Sequence, residues 1–255
     1  MINVKQELMN KILKGDHEVP IICVPIVEKN KDDIIAAFKE CYENKIEAVE
    51  WRVDLYEEIN SPNEIRYVLE AVEDYTRDML LIYTVRTKQQ GGEIEVDESK
   101  LIDLYDVASE SQVVDFIDVE CFSVKSPGKV IARIHENDKK VIVSHHEFLE
   151  TPEEPVLFHI YEDLFQTGAD IVKIAVMPKN SNDVVRLLKF TCDVKEKNPN
   201  KPLITISMGK LGTISRITGE IFGSAITFAT LGKKSAPGQL TQENVKEILD
   251  VIHKA

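Results

Sequence analysis

Ala169-Asp170-Ile171-Val172-Lys173-Ile174-Ala175-Val176-Met177 reads as a strand with one ammonium set in its middle. A continuous, largely β-branched run of this kind belongs to a parallel sheet covered on both faces. Burying an ammonium there is costly unless it is paired or gives up its proton. Burial lowers a lysine pKa, and a neutral amine is a nucleophile. Lys173 is thus a candidate for covalent chemistry. Its ordinary readings are a side chain that snorkels to the strand end and a structural ion pair.

Outward from this strand, apolar and helical segments alternate along the whole chain. Strand-like runs recur at Ile21-Ile26, Ala48-Asp54, Met79-Arg86, Val114-Glu120, Val141-His146, Asp170-Val176, Leu203-Met208 and Ala225-Thr230. Helical patterns lie between them at Lys31-Tyr42, Ser61-Tyr75, Glu98-Ser109, Pro127-Asn137, Pro152-Thr167, Ser181-Lys197, Gly212-Gly219 and Thr241-Lys254, with Asn30 as an N-cap. Alternation of this kind demands a parallel sheet. Eight units favour an α/β (β/α)8 TIM barrel of one domain over residues 1–255, with an open doubly wound sheet as the alternative. No G-x-G-x-x-G follows the first strand, which counts against a dinucleotide-binding sheet. The polar, helical Met1-Val19 precedes the first strand and is placed to cap the barrel bottom.

A chain of 255 residues, 43% hydrophobic, is of the usual size for such a barrel. A formal net charge of -13 argues against nucleic acid or an anionic membrane as partner. Cys23, Cys41, Cys121 and Cys192 are scattered, with no C-x-x-C, which fits free thiols in a reducing, cytoplasmic setting. The longest fully apolar stretch, Pro20 to Val27, is far too short to span a bilayer, and Met1 to Lys14 lacks the apolar region of a signal peptide.

Barrel active sites lie at the C-terminal ends of the strands, and these ends are rich in chemistry here. Strand two ends Glu50-Trp51-Arg52-Val53-Asp54, so period two puts Glu50, Arg52 and Asp54 on an inward face and Trp51 under the helices. Strand three ends at Arg86, strand four at Asp118 and Glu120, strand five at Ser144-His145-His146-Glu147. Of the two histidines, period two sends only one inward. Arg216 follows strand seven, and the small, polar Gly232-Gln239 follows strand eight as a lid over the mouth. Each residue has an ordinary reading alone: an internal ion pair, a core histidine, a solvated arginine, a plain loop. Their convergence on one barrel face favours a site. A buried lysine, a histidine and several arginines, with no metal-binding motif, suit imine chemistry on a small anionic keto compound.

Several of these stretches together resemble type I 3-dehydroquinate dehydratases. They are Ile22-Ile26, Glu50-Asp54, Thr84-Thr87 with Gly91-Gly92, Ser144-Phe148, Val172-Pro178, Met208-Arg216, Phe222-Ala225 and Ser235-Gln239, in family order over nearly the whole chain. The resemblance implies a cofactor-free hydro-lyase of the shikimate pathway acting on 3-dehydroquinate, and a homodimer. It implies that Lys173 forms an imine with the substrate ketone. His146 takes the neighbouring proton and then helps the hydroxyl leave. Arg216 binds the carboxylate, helped by Ser235 and Gln239. Glu50, Arg52 and Arg86 hold the ring oxygens, and Met208, Phe228 and Ala236 form apolar walls.

Two departures stand out. Gln90 occupies a place where many members carry Glu, so that residue orients His146 without charge and acts as a tuning position; Ile206 replaces a common Met, which is roughly volume-conserving. The rival enzyme class is a phosphate-recognising class I aldolase, which the Ser-Ala-Pro-Gly-Gln stretch disfavours. The rival from another class is a silent sugar-acid binding protein, which would lack Lys173 or His146.

Overall fold

The computed structural model describes residues 4–14, 19–231 and 238–255. Ser235 and Ala236, with most of the Gly232-Gln239 segment read as a lid, lie outside the described residues.

Eight parallel strands form the sheet: β1 (Ile21–Ile26), β2 (Ala48–Arg52), β3 (Leu80–Thr84), β4 (Phe116–Glu120), β5 (Lys140–Glu147), β6 (Ile171–Val176), β7 (Leu203–Ser207) and β8 (Ile226–Phe228). They lie in the order β7-β6-β5-β4-β3-β2-β1-β8. The seam between β7 and β8 is bridged just ahead of β8, where Ala225 N donates to Leu203 O at 2.8 Å and Thr205 N donates to Ser224 Oγ at 3.2 Å. The sheet is thus a nearly closed barrel, and the open-sheet alternative falls away.

The helices that cover it are α2 (Lys31–Glu43), α3 (Pro62–Ala71), α4 (Glu98–Ser109), α5 (Pro127–His135), α6 (Glu154–Phe165), α7 (Ser181–Lys197), the single-turn α8 (Gly219–Phe222) and α9 (Gln242–His253). Their starts follow local chemistry. Asn30 caps α2 by accepting from Asp33 N, Asn180 and Asp183 form a capping box on α7, and prolines open α3, α5 and α6. The outward faces of the strands, Trp51 among them, pack with these helices into one large core.

The helix predicted at Gly212-Gly219 is instead a 3-10 stretch, Leu211–Arg216, followed by α8. A Cβ on Gly212 would lie 2.0 Å from Ser207 O, and Ser215 Oγ donates to Gly212 O at 2.8 Å. This turn is folded tightly onto the end of β7, which leaves no room for a regular α-helical start.

Inside the barrel the lower positions are apolar. Ile21, Leu80, Phe116, Ile142, Ile171, Ile204 and Ile226 form one buried cluster. Helix α1 (Val4–Leu13) closes the bottom: Ile12 is fully buried in that cluster, and Leu8, Met9 and Leu13 pack against it. Lys5 ties the helix down through Asp115, Nζ to Oδ2 at 2.9 Å. Helix α1 therefore caps the barrel bottom, the place expected for the polar, helical segment that precedes the first strand.

Candidate active site

One step up the same inward faces, the residue types change. Register sets Thr84 opposite both Arg52 and Asp118, Ser144 opposite both Glu120 and Lys173, and His146 opposite Ala175. This end of the barrel holds a cavity of about 160 Å³ lined by Glu50, Arg52, Arg86, His146, Lys173 and Arg216. Gln90, Met208, Phe228 and Gln239 complete the predicted residues that line it, alongside Phe148 and Ile206. Residues from eight different chain segments thus meet at the C-terminal mouth, where a barrel places its site.

Lys173 lies at the centre and is buried. Its Nζ donates to Asp118 Oδ2 at 2.9 Å and to Glu50 Oε1 at 3.1 Å, and sits 4.7 Å from the Phe228 ring centroid. This corrects the reading of a lysine made neutral by burial. Burial alone would lower its pKa, but Asp118 and Glu50 outweigh that and raise it above the ordinary lysine value, with Arg86 opposing them. The resting side chain is an ammonium between two carboxylates.

Those carboxylates are themselves fixed. Asp118 Oδ1 accepts from Ser144 Oγ at 2.6 Å and pairs with Arg86 Nη2 at 2.8 Å. Burial would raise its carboxyl, yet Arg86 and Lys173 hold it well below the usual carboxylate range. Glu50 Oε1 also accepts from Thr84 Oγ1 at 3.1 Å. Arg86 Nη1 donates to Glu120 Oε1 at 2.9 Å and to Ser144 Oγ at 3.0 Å. Glu120 further accepts from Thr87 N, Thr87 Oγ1 and Ser123 Oγ, so it anchors the loop that leaves β3. In sequence, Asp118 and Glu120 stand at a strand end without an assigned role, and Ser144 and Thr84 carry none. The alternation Phe116-Ile117-Asp118-Val119-Glu120 carried the signal, since period two turns both acids inward.

Asp54 departs from the expected inward face. The chain leaves β2 at Arg52 and turns through a 3-10 helix, Val53–Leu55. Arg52 grips Asp54 through Nε at 2.8 Å and Nη2 at 2.7 Å, and Arg86 N donates to Asp54 Oδ1 at 3.2 Å. The carboxylate supports two arginines from outside the cavity lining.

His146 faces the cavity. His145 points outward, edge-on to Phe122 at 5.0 Å between ring centroids. Removal from bulk water pushes the His146 imidazole well below the ordinary histidine pKa, with Arg86, Lys173 and Arg52 adding to the shift and Asp118 opposing it. The ring is neutral at neutral pH and can accept a proton. Gln90 Oε1 accepts from the main-chain N–H of His146 at 2.7 Å, so it engages the strand and not the ring. Arg216 is buried, donates to Phe228 O at 3.4 Å, and has its pKa pushed down to about 10 by burial, which still leaves it charged at neutral pH.

Comparisons with known proteins bear on the family and the fold. The family model for type I 3-dehydroquinase matches residues 22–255. A 3-dehydroquinate dehydratase from Clostridioides difficile is 38% identical, covering 92% of this chain and 93% of its own. A crystal structure of type I 3-dehydroquinate dehydratase from Clostridium difficile, with covalently modified comenic acid, superposes with a TM-score of 0.89 at 38% identity, covering 92% of this chain and 93% of that one. The 3-dehydroquinate dehydratase of Geobacillus kaustophilus superposes with a TM-score of 0.88 at 30% identity, covering 92% and 91% of the two chains. The chain belongs to the type I 3-dehydroquinase family, whose members are hydro-lyases of the shikimate pathway that work through a Schiff base.

Proposed function

We propose that the cavity dehydrates 3-dehydroquinate to 3-dehydroshikimate with Lys173 as the amine, His146 as the proton carrier and Arg216 as the carboxylate anchor. The observation that carries this reading is the buried Lys173 ammonium held between Asp118 and Glu50 at the cavity floor. Those carboxylates make the free amine harder to reach. They also stabilise the cation that matters for the reaction, because a protonated imine places its positive charge where the ammonium was.

The sequence of bonds follows. Lys173 gives up a proton and its nitrogen adds to the substrate ketone, and loss of water leaves the iminium. The neutral His146 takes a proton from the adjacent carbon, whose electron pair moves into the iminium to give an enamine. The enamine pushes out the β-hydroxyl, to which the imidazolium returns its proton. Water then hydrolyses the conjugated iminium, freeing product and lysine. Arg216 is suited to its part: a desolvated, planar guanidinium gains strongly from a carboxylate that pairs with it. Glu50, Arg52, Arg86 and Gln239 border the space the ring oxygens would occupy, with Met208 and Phe228 as apolar walls. Ser235 and Ala236 keep the roles that the resemblance implies.

The relative's covalently modified ligand supports covalent chemistry in this family. The scattered, unpaired Cys23, Cys41, Cys121 and Cys192 support a cytoplasmic setting, and the resemblance supports a homodimer of single-domain chains. The test is turnover followed by the ultraviolet absorbance of the conjugated product. The parent should convert 3-dehydroquinate, and Lys173→Ala should bind it without converting it. Conversion by Lys173→Ala at the parent rate would defeat the assignment.

A further inference from the structure

Phe148 lies just past the end of β5, two residues beyond His146, at the rim of the cavity. Its ring lies nearly parallel to the imidazole, with centroids 6.0 Å apart and planes 13° apart. It is seated against Gly91, where a Cβ would come within 2.1 Å of Phe148 Cζ. Gly91 has φ +84°, a left-handed conformation that glycine adopts without cost. A benzene ring thus stands beside the imidazole on the mouth side, nearly parallel to it, and rests on a glycine whose left-handed backbone other residues adopt only with strain. Phe148 is 38% exposed, so its ring reaches both the cavity mouth and solvent.

We propose that Phe148 is a positioning residue that shields the His146 imidazole from solvent at the cavity mouth, with Gly91 as its seat. The inference rests on the reading of His146 as the proton carrier. Proton transfer to and from one carbon and one hydroxyl needs an imidazole whose protons do not exchange with bulk water during the step, and a flat apolar cover supplies that. The groups that face His146 from the other elements are Arg52 on β2, Arg86 beyond β3, Asp118 on β4 and Lys173 on β6, with Glu50 and Arg216 on the same cavity and neutral Gln90 at its main chain. More of the charges named as acting on it are positive than negative, so they add to the effect of the cover. Opening the cover would admit water, ease the desolvation and raise the imidazole pKa toward the ordinary histidine value.

The experiment is an NMR titration of the His146 ring, assigned by its loss in His146→Asn, in the parent, Phe148→Ala, Gly91→Ala and Phe148→Tyr. The first two variants should titrate at higher pH than the parent, one by removing the ring and the other by taking its seat. Phe148→Tyr keeps the ring and should titrate with the parent. The acidic limb of kcat/KM against pH should move upward in step with the NMR values. Unchanged His146 titration in Phe148→Ala would overturn the shielding role. A titration that moves while the rate profile stays still would uphold the shielding and instead contradict His146 as the proton carrier.

Discussion

The two ends of the barrel interior are built from the same strands and the same inward-facing positions, yet one is hydrocarbon and the other is charge. At the bottom, Leu80, Phe116, Ile142, Ile171 and Ile204 meet under the plug of Ile12. A single inward step along three of those strands gives Asp118, Ser144 and Lys173, with Asp118 accepting from Ser144 at 2.6 Å and from Lys173 at 2.9 Å. The difference shows how the fold divides its work. Hydrophobic burial at the bottom supplies stability that can offset the cost of desolvating charges at the top. Most of the charges are tolerable because Arg52, Arg86 and Lys173 are paired with Asp54, Asp118, Glu120 and Glu50, and the pairing helps to set which groups rest charged.

The comparison can be broken from below. Phe116→Ala removes a fully buried ring from the apolar end and should cost about 3–5 kcal/mol of stability. The pH dependence of activity in the protein that remains folded should match the parent, because no cavity charge has moved. Denaturant unfolding with a pH-rate series checks both, and an altered profile would mean that the two ends are not separable.

It can be broken from above at the substrate anchor. Removing one partner of a buried charge pair costs about 2–5 kcal/mol. Arg216→Ala should weaken substrate binding by that amount, seen as a large rise in KM or in the dissociation constant for Lys173→Ala as background. A KM close to the parent's would place the carboxylate elsewhere.

Asp118→Asn sharpens the contrast, since it changes charge with little change of shape. Asp118 is first among the groups that hold the Lys173 pKa up. Without it, the lysine should lose its proton at lower pH, since the largest contribution opposing desolvation is gone. The pH at which borohydride trapping begins should therefore fall, even as the fold is weakened by leaving Arg86 less compensated. An unmoved onset would show that Glu50 alone sets the lysine's charge.

Gln90→Glu is the smallest perturbation. The new carboxylate can still accept from the His146 main chain while adding negative charge beside the ring, which favours imidazolium. The acidic limb of the rate profile should move to higher pH, and superimposable profiles would show that position 90 acts on the strand alone.

Much of this was legible in the sequence because it depends on local period. The strand positions, the inward face of Lys173, the outward face of Trp51 and the single inward histidine all follow from alternation along short runs. What was not legible depends on partners far apart in the chain. Lys173 looked like a lysine that burial would neutralise, because its counter-ions lie 55 and 123 residues away on other strands. Strand ends were over-extended for a related reason: Arg86 N and the Asp54 side chain bond to each other instead of extending the ladder. The short turn after β7 resembles a helix in sequence because its tight approach at Gly212 has no periodic signature.

The most direct test of the account is to reduce the protein with borohydride in the presence of 3-dehydroquinate and map the adduct by peptide mass spectrometry. Reduction turns the imine into a stable secondary amine and records which nitrogen attacked. The account predicts one adduct, on the peptide containing Lys173. An adduct on Lys210 or Lys234 with Lys173 unmodified, or full turnover with no adduct at all, would contradict it.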